Sequence, residues 1–127
     1  MAKGILLDTS VVIAHLRGKI DISIQITPSE SLFLSVIALG ELNKGLLKSK
    51  HPQRSQADLA TFLHTVTILP VDVSTAWHYA QISCALDANG TPIPENDLWI
   101  AAAALECSLS LAARDKHFQQ ISGLTLL

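Results

Sequence analysis

The sequence predicts an α/β fold in which a central, mainly parallel sheet lies between layers of helices, and three observations predict it. Short runs that are apolar almost throughout, Ile5-Leu6-Leu7, Leu32-Phe33-Leu34 and Thr67-Ile68-Leu69, alternate with longer stretches of helical spacing. Successive side chains of a strand point to opposite sides, so a strand without polar alternation is covered on both faces, as parallel sheets are. The third observation is that two apolar runs finish on a carboxylate, Gly4-Ile5-Leu6-Leu7 on Asp8 and the run through Leu109-Ser110-Leu111-Ala112 on Asp115. In open parallel sheets, ligands bind beyond the carboxyl ends of the strands where strand order reverses, and both acids belong to that edge.

Taken in order, Ile5-Leu6-Leu7 is the first strand, and Thr9 or Ser10 can cap a helix from Val11 through Ile13, Ala14 and Leu16 that Gly18 ends. Ile20, Ile22, Ile24 and Ile26 alternate as in a strand, but the expectation adopted is a short helix. A Pro28-Ser29-Glu30-Ser31 turn precedes the strand Leu32-Phe33-Leu34, and Ser35 leads into a helix over Val36 to Ser49. Its Glu41 lies among Leu39, Leu42, Leu46 and Leu47, with Lys44 and Lys48 on the same face at i+3 and i+7. An amphipathic helix over Gln53 to Leu63 carries Leu59, Phe62 and Leu63 to the core, and the strand Thr67-Ile68-Leu69 follows.

Asp72 with Ser74 offers an N-cap for a helix over Thr75 to Ala88, broken by Asn89-Gly90-Thr91-Pro92. Pro94 then opens an alanine-rich helix through Trp99-Ile100-Ala101-Ala102-Ala103-Ala104, with Asp97 in its first turn. Leu109-Ser110-Leu111-Ala112 is a fourth strand, Lys116-His117-Phe118 a turn, and Leu124-Thr125-Leu126 a fifth strand. Trp77, Tyr79 and Trp99 are expected to pack into the core, and His15, His78 and His117 to lie at or near the surface without a catalytic pairing.

Composition bounds the function. A chain of 127 residues, 49% hydrophobic and 16% charged, can bury one core and is expected to form a single domain over residues 1–127 without disordered tracts. No apolar run approaches the roughly 20 residues of a membrane helix, and the N-terminus lacks signal-peptide regions, so a soluble, cytoplasmic protein is expected. A formal net charge of −2 gives no general attraction for nucleic acid, so any such contact must be local or assisted by a cation. Cys84 and Cys107 lack neighbouring Cys or His at metal-ligand spacing and are expected as buried thiols within helices.

An Asp in a helix's first turn is ordinarily explained by the macrodipole, and Asp97 alone would mean no more than that. With Asp8 and Asp115 expected at one sheet edge, the acids point to a shared crevice. Carboxylates a few ångströms apart raise each other's pKa until one takes a proton, and a divalent cation removes that penalty. Oxygen donors suit Mg²⁺ or Mn²⁺, which can make hydroxide available near neutral pH and neutralise a phosphodiester in its transition state.

The motifs together resemble those of PIN-domain ribonucleases, and specifically the VapC toxins of prokaryotic type II toxin-antitoxin modules. Leu6-Leu7-Asp8-Thr9-Ser10-Val11 resembles the family's first acidic motif, Ser35-Val36-Ile37-Ala38-Leu39-Gly40-Glu41-Leu42 the second, Ile93-Pro94-Glu95-Asn96-Asp97-Leu98-Trp99-Ile100-Ala101-Ala102 the third and Ala113-Arg114-Asp115-Lys116-His117-Phe118 the fourth. The resemblance spans nearly the whole chain. It implies a three-layer PIN-like domain with a five-stranded sheet, and Asp8, Glu41, Asp97 and Asp115 as the catalytic, metal-binding quartet. It also implies Mg²⁺- or Mn²⁺-dependent endoribonuclease activity that leaves a 3′-hydroxyl and a 5′-phosphate, tRNA as a frequent substrate, inhibition by a VapB-like antitoxin, and a homodimer. Ser10, Lys44, Lys48 and Arg114 are the candidate substrate contacts, with Arg17 and Lys116 of similar standing.

The chain departs from the family where Ser10 replaces a frequent Asn and Ala113 a frequent Thr, and Ala113 has no hydroxyl with which to orient Asp115. A catalytically silent PIN module that binds RNA or antitoxin is one alternative. A receiver-type signalling domain is another, opposed by Thr9 and Ser10 where a second acid would stand beside Asp8.

Overall fold

The computed structural model describes residues 4–25 and 30–127. Four parallel strands, β1 (Gly4–Leu7), β2 (Ser31–Ser35), β3 (Thr67–Leu69) and β4 (Ser110–Ala112), form one sheet in the order β3-β2-β1-β4. The helices are α1 (Thr9–Leu16), α2 (Ile22–Gln25), α3 (Val36–Leu47), α4 (Pro52–Leu63), α5 (Val73–Ala88) and α6 (Glu95–Glu106), followed by a 3₁₀ helix over Lys116–Gln120. The chain winds outward from β1 through β2 to β3 and then crosses to the other side of β1 for β4. The reversal therefore lies between β1 and β4, the place where such sheets open a crevice.

All four residues of β1 are buried, which requires cover on both faces of the sheet. The core draws Leu6, Leu7, Leu34 and Leu111 from the strands, Val12 from α1, Ile100 from α6 and Phe118 from the 3₁₀ helix. In α6, Ile100 through Ala104 are buried without a break, so small side chains let this helix sit deep against α5, α3 and β4. That depth fixes the axis along which Asp97 is presented.

The expected fifth strand is a single parallel bridge, Leu126 to Leu111, with the Leu111 amide donating to the Thr125 carbonyl at 2.8 Å and the Leu127 amide to the Leu111 carbonyl at 2.9 Å. Of the isoleucine run expected as a short helix, Ile22–Gln25 is helical, whereas Ile26 and the Pro28-Ser29 part of the expected turn lie outside the described residues. Two expectations are corrected. Cys84 and Cys107 are exposed, and Cys107 is the residue that closes α6 instead of an interior helical one. Trp77 is 65% exposed on α5, not packed in the core, while Tyr79 stacks on Trp99 with ring centroids 4.1 Å apart. Among the described residues, no helix is long and apolar enough to cross a membrane.

Candidate metal centre

Asp8 follows the last residue of β1 and is itself the N-cap of α1, in place of the expected Thr9 or Ser10. Its amide donates to the Ala112 carbonyl of β4 at 2.9 Å, so the backbone locks this acid onto the β1–β4 seam. The residue is only 4% exposed. Its Oδ2 accepts from the Ser10 hydroxyl at 2.6 Å, and the Arg114 amide donates to the Ser10 oxygen at 3.3 Å. Burial pushes the Asp8 carboxyl above its ordinary pKa, the Ser10 hydrogen bond works against that shift, and the negative charge of Asp97 adds to it.

Asp97 sits in the first turn of α6, which Pro94 precedes at the N-cap with no side-chain capping bond. Its side chain is 16% exposed and meets His117 Nδ1 at 3.0 Å. Burial raises its pKa, the His117 contact lowers it, and repulsion from Asp115 and Glu41 raises it further. Asp115 caps the 3₁₀ helix, its Oδ1 accepting from the His117 amide at 3.0 Å and lying 3.0 Å from the same imidazole nitrogen. Donor atoms of Asp97, Asp115 and His117 all fall within 4.8 Å of one another.

Asp8 and Glu41 lie outside that tight group, although the charge of Asp97 adds to the burial that raises the Asp8 pKa, and Glu41 adds to the burial that raises the Asp97 pKa. Glu41 comes from α3, and its Oε1 accepts from the Thr9 hydroxyl at 2.6 Å, which ties α3 to the first residue of α1. The four acids thus arrive from the ends of β1 and β4, the start of α6 and the middle of α3. Carboxylate oxygens with one imidazole nitrogen are a donor set that fits a small divalent cation.

Two participants escaped the sequence reading. His117 was expected to have no pairing and contacts two of the acids, and the signal available was its position two residues after Asp115 in a short turn. Thr9 was expected only as a cap, whereas its hydroxyl holds Glu41.

The candidate substrate contacts separate. Ser10 is engaged with Asp8. Lys48 lines a cleft of about 540 Å³ between α1, α3 and α4 that also holds Glu41, Arg17 and Lys50. Lys44 is exposed on α3, and exposed Arg114 borders a different pocket of about 280 Å³ beside Val11 and Leu127. A further cavity of about 690 Å³, bordered by His15, Ile22 and Phe62, is lined by none of the four acids.

The PIN-domain family model matches residues 5–124 of the chain. Ribonuclease VapC1 of Haemophilus influenzae (strain R2866) is 31% identical over 94% of this chain and 92% of its own length. Ribonuclease VapC5 of Mycobacterium tuberculosis is 32% identical over 96% and 90%. Among solved structures, VapBC2 from Rickettsia felis bound to a DNA fragment from its promoter contains a chain that superposes with a TM-score of 0.90 at 25% identity, covering 97% of this chain and 96% of that one. With a matching motif order, the same fold and near-complete coverage, the chain belongs to the PIN-domain family, in its branch of VapC ribonuclease toxins of VapBC toxin-antitoxin systems.

Proposed function

We propose that the chain is an endoribonuclease that depends on Mg²⁺ or Mn²⁺, with Asp8, Glu41, Asp97 and Asp115 as its catalytic acids. The observation that carries this reading is the convergence of Asp97, Asp115 and His117 within 4.8 Å beside Asp8, whose proton affinity is raised by burial and then by the charge of Asp97. Acids collected this closely repel one another and resist ionisation, a cost that a doubly charged ion removes. Such an ion, when bound, supplies positive charge to a phosphodiester and lowers the pKa of water near it.

The chain's own residues do the placing. Ser10 orients Asp8 and Thr9 orients Glu41, each through a hydroxyl at 2.6 Å. Asp115, 41% exposed at the rim, is reached by solvent and is suited to orienting the water that attacks the phosphate, leaving a 3′-hydroxyl and a 5′-phosphate. Lys48, Arg17 and Lys50, gathered in the cleft that contains Glu41, give a local attraction for RNA phosphates that the net charge of −2 does not, and Lys44 and Arg114 extend it on the surface.

The partner is a VapB-like antitoxin, a reading supported by the VapBC complex from Rickettsia felis that contains a similar chain. A homodimer is supported by Val73 and Trp77, 90% and 65% exposed and one turn apart on α5, an apolar stripe of the kind a second copy covers. The functional unit is one PIN domain over residues 1–127, acting in the cytoplasm on RNA, with tRNA as a candidate target.

Incubation of the purified protein with total RNA tests the activity. Cleavage is expected with Mg²⁺ or Mn²⁺, lost on adding EDTA and lost in Asp8→Asn and Asp97→Asn variants that keep the fold. Undiminished cleavage by both variants would remove the proposal, and RNA binding without ion-dependent cutting would favour a silent module.

A further inference from the structure

His117 is left without a chemical role by the four-acid reading, yet a single ring nitrogen of it contacts two of the acids at once. Its Nδ1 lies 3.0 Å from Asp97 Oδ2 and 3.0 Å from Asp115 Oδ1. We propose that His117 Nδ1 is itself a ligand of the cation held by Asp97 and Asp115, and that this nitrogen makes the site prefer Mn²⁺ to Mg²⁺. The inference rests on the cation-dependent reading above and adds the ion's preferred identity.

The spacing supports it. With metal-ligand bonds of about 2.1 Å, adjacent corners of an octahedron stand about 3.0 Å apart, the separation of Nδ1 from both carboxylate oxygens. A single N–H points well at one acceptor, whereas one lone pair directed at a shared cation accounts for both separations. The ring is also aimed in advance. Asp115 accepts from the His117 amide at 3.0 Å, which fixes the start of the 3₁₀ helix and turns the imidazole across to α6.

Without an ion, Nδ1 stands within hydrogen-bond distance of Asp97 Oδ2 at 3.0 Å. As a ligand, Nδ1 would offer its lone pair and the ring proton would reside on Nε2. Imidazole nitrogen favours first-row transition ions, while Mg²⁺ favours oxygen donors and retained waters. Replacing one oxygen position by nitrogen therefore shifts the preference toward Mn²⁺.

The test is calorimetric titration of Mn²⁺ and, separately, Mg²⁺ into the ion-stripped full chain, the parent beside His117→Asn, His117→Ala and Asp97→Asn. Asn can still donate an N–H near the Nδ1 position but is a poor nitrogen ligand, so it rescues a hydrogen-bonding role and not a ligand role. The parent is expected to bind Mn²⁺ about 10-fold more tightly than Mg²⁺, with both His117 variants losing that preference chiefly through weaker Mn²⁺ binding. Electron spin-echo spectra of the Mn²⁺-loaded parent are expected to show ¹⁴N coupling that His117→Asn lacks. Absence of ¹⁴N coupling in the parent, or an unchanged Mn²⁺ preference in His117→Asn, overturns the proposal while leaving the cation reading intact. No uptake of either ion by the parent overturns both.

Discussion

Ser10 holds Asp8 from its own position two residues along, with hydroxyl to Oδ2 at 2.6 Å and amide to the same oxygen at 3.4 Å. The Arg114 amide in turn donates to the Ser10 oxygen, so the segment after β4 reaches the acid after β1 through one hydroxyl. Removing that hydroxyl leaves a buried carboxylate with a weaker partner and a less defined rotamer. Ser10→Ala is expected to lower RNA cleavage about 10- to 100-fold, as loss of a ligand-orienting partner does, with the circular dichroism spectrum unchanged. Cleavage at the parent's rate would show that Asp8 is positioned by the backbone alone.

Glu41 depends on Thr9 in the same way, across 32 residues of sequence. Thr9→Val keeps the shape and removes the donor, so cleavage is expected to fall about 10-fold, while Thr9→Ser restores it. Equal activity of the Val and Ser variants would contradict an orienting role for this hydroxyl.

Ion-free stability carries a pH signature. The folded state raises the pKa of Asp8 and of Asp97, in each case mainly through burial, so it binds their protons more tightly than the unfolded chain does. Their contribution therefore falls as pH climbs from about 4, the unfolded carboxylate value, through the raised folded values, and is flat above them. Asp72, lowered by hydrogen bonds from Thr75, slopes the opposite way, so the difference between variant and parent is the quantity to measure. Asp8→Asn is expected to gain on the order of 1 kcal/mol, or about 4 °C in Tm, relative to the parent at neutral pH. The gain is expected to vanish below pH 4, where both side chains are neutral. A gain independent of pH would mean that charge is not its source.

Gly4 carries a packing constraint at the head of β1. A Cβ there would meet the Phe33 ring of β2 and stand 2.7 Å from Leu109 Cδ2. Gly4→Ala is expected to destabilise by about 1–3 kcal/mol through overpacking, read as a lower urea midpoint with the same slope. An unchanged midpoint would show that Phe33 swings aside freely.

How far the sequence could be read depended on the range of the interaction involved. Burial of every residue in β1 and the helical spacing of Leu59 and Phe62 are local patterns, and the elements they predicted formed close to the expected bounds. Asp8 as the cap of α1 was missed because the sequence offers three adjacent capping residues, and only the docking of its amide on Ala112 decides among them. The His117 contact with Asp97 spans 20 residues and two elements, so no local pattern encodes it. Trp77 illustrates the reverse problem, since a helix position suited to packing does not say whether this chain or another provides the cover. The final strand shrank to a bridge at Leu126 because its pairing depends on β4 alone, a strand of three residues.

In the proposed function, one small cation reconciles acids from four separate segments. Calorimetric titration of Mn²⁺ into the ion-stripped parent, Asp8→Asn and Asp97→Asn tests it most directly. Saturable uptake by the parent is expected, with affinity reduced at least about 10-fold in each folded variant. Equal uptake by all three proteins, or none by the parent, would contradict it.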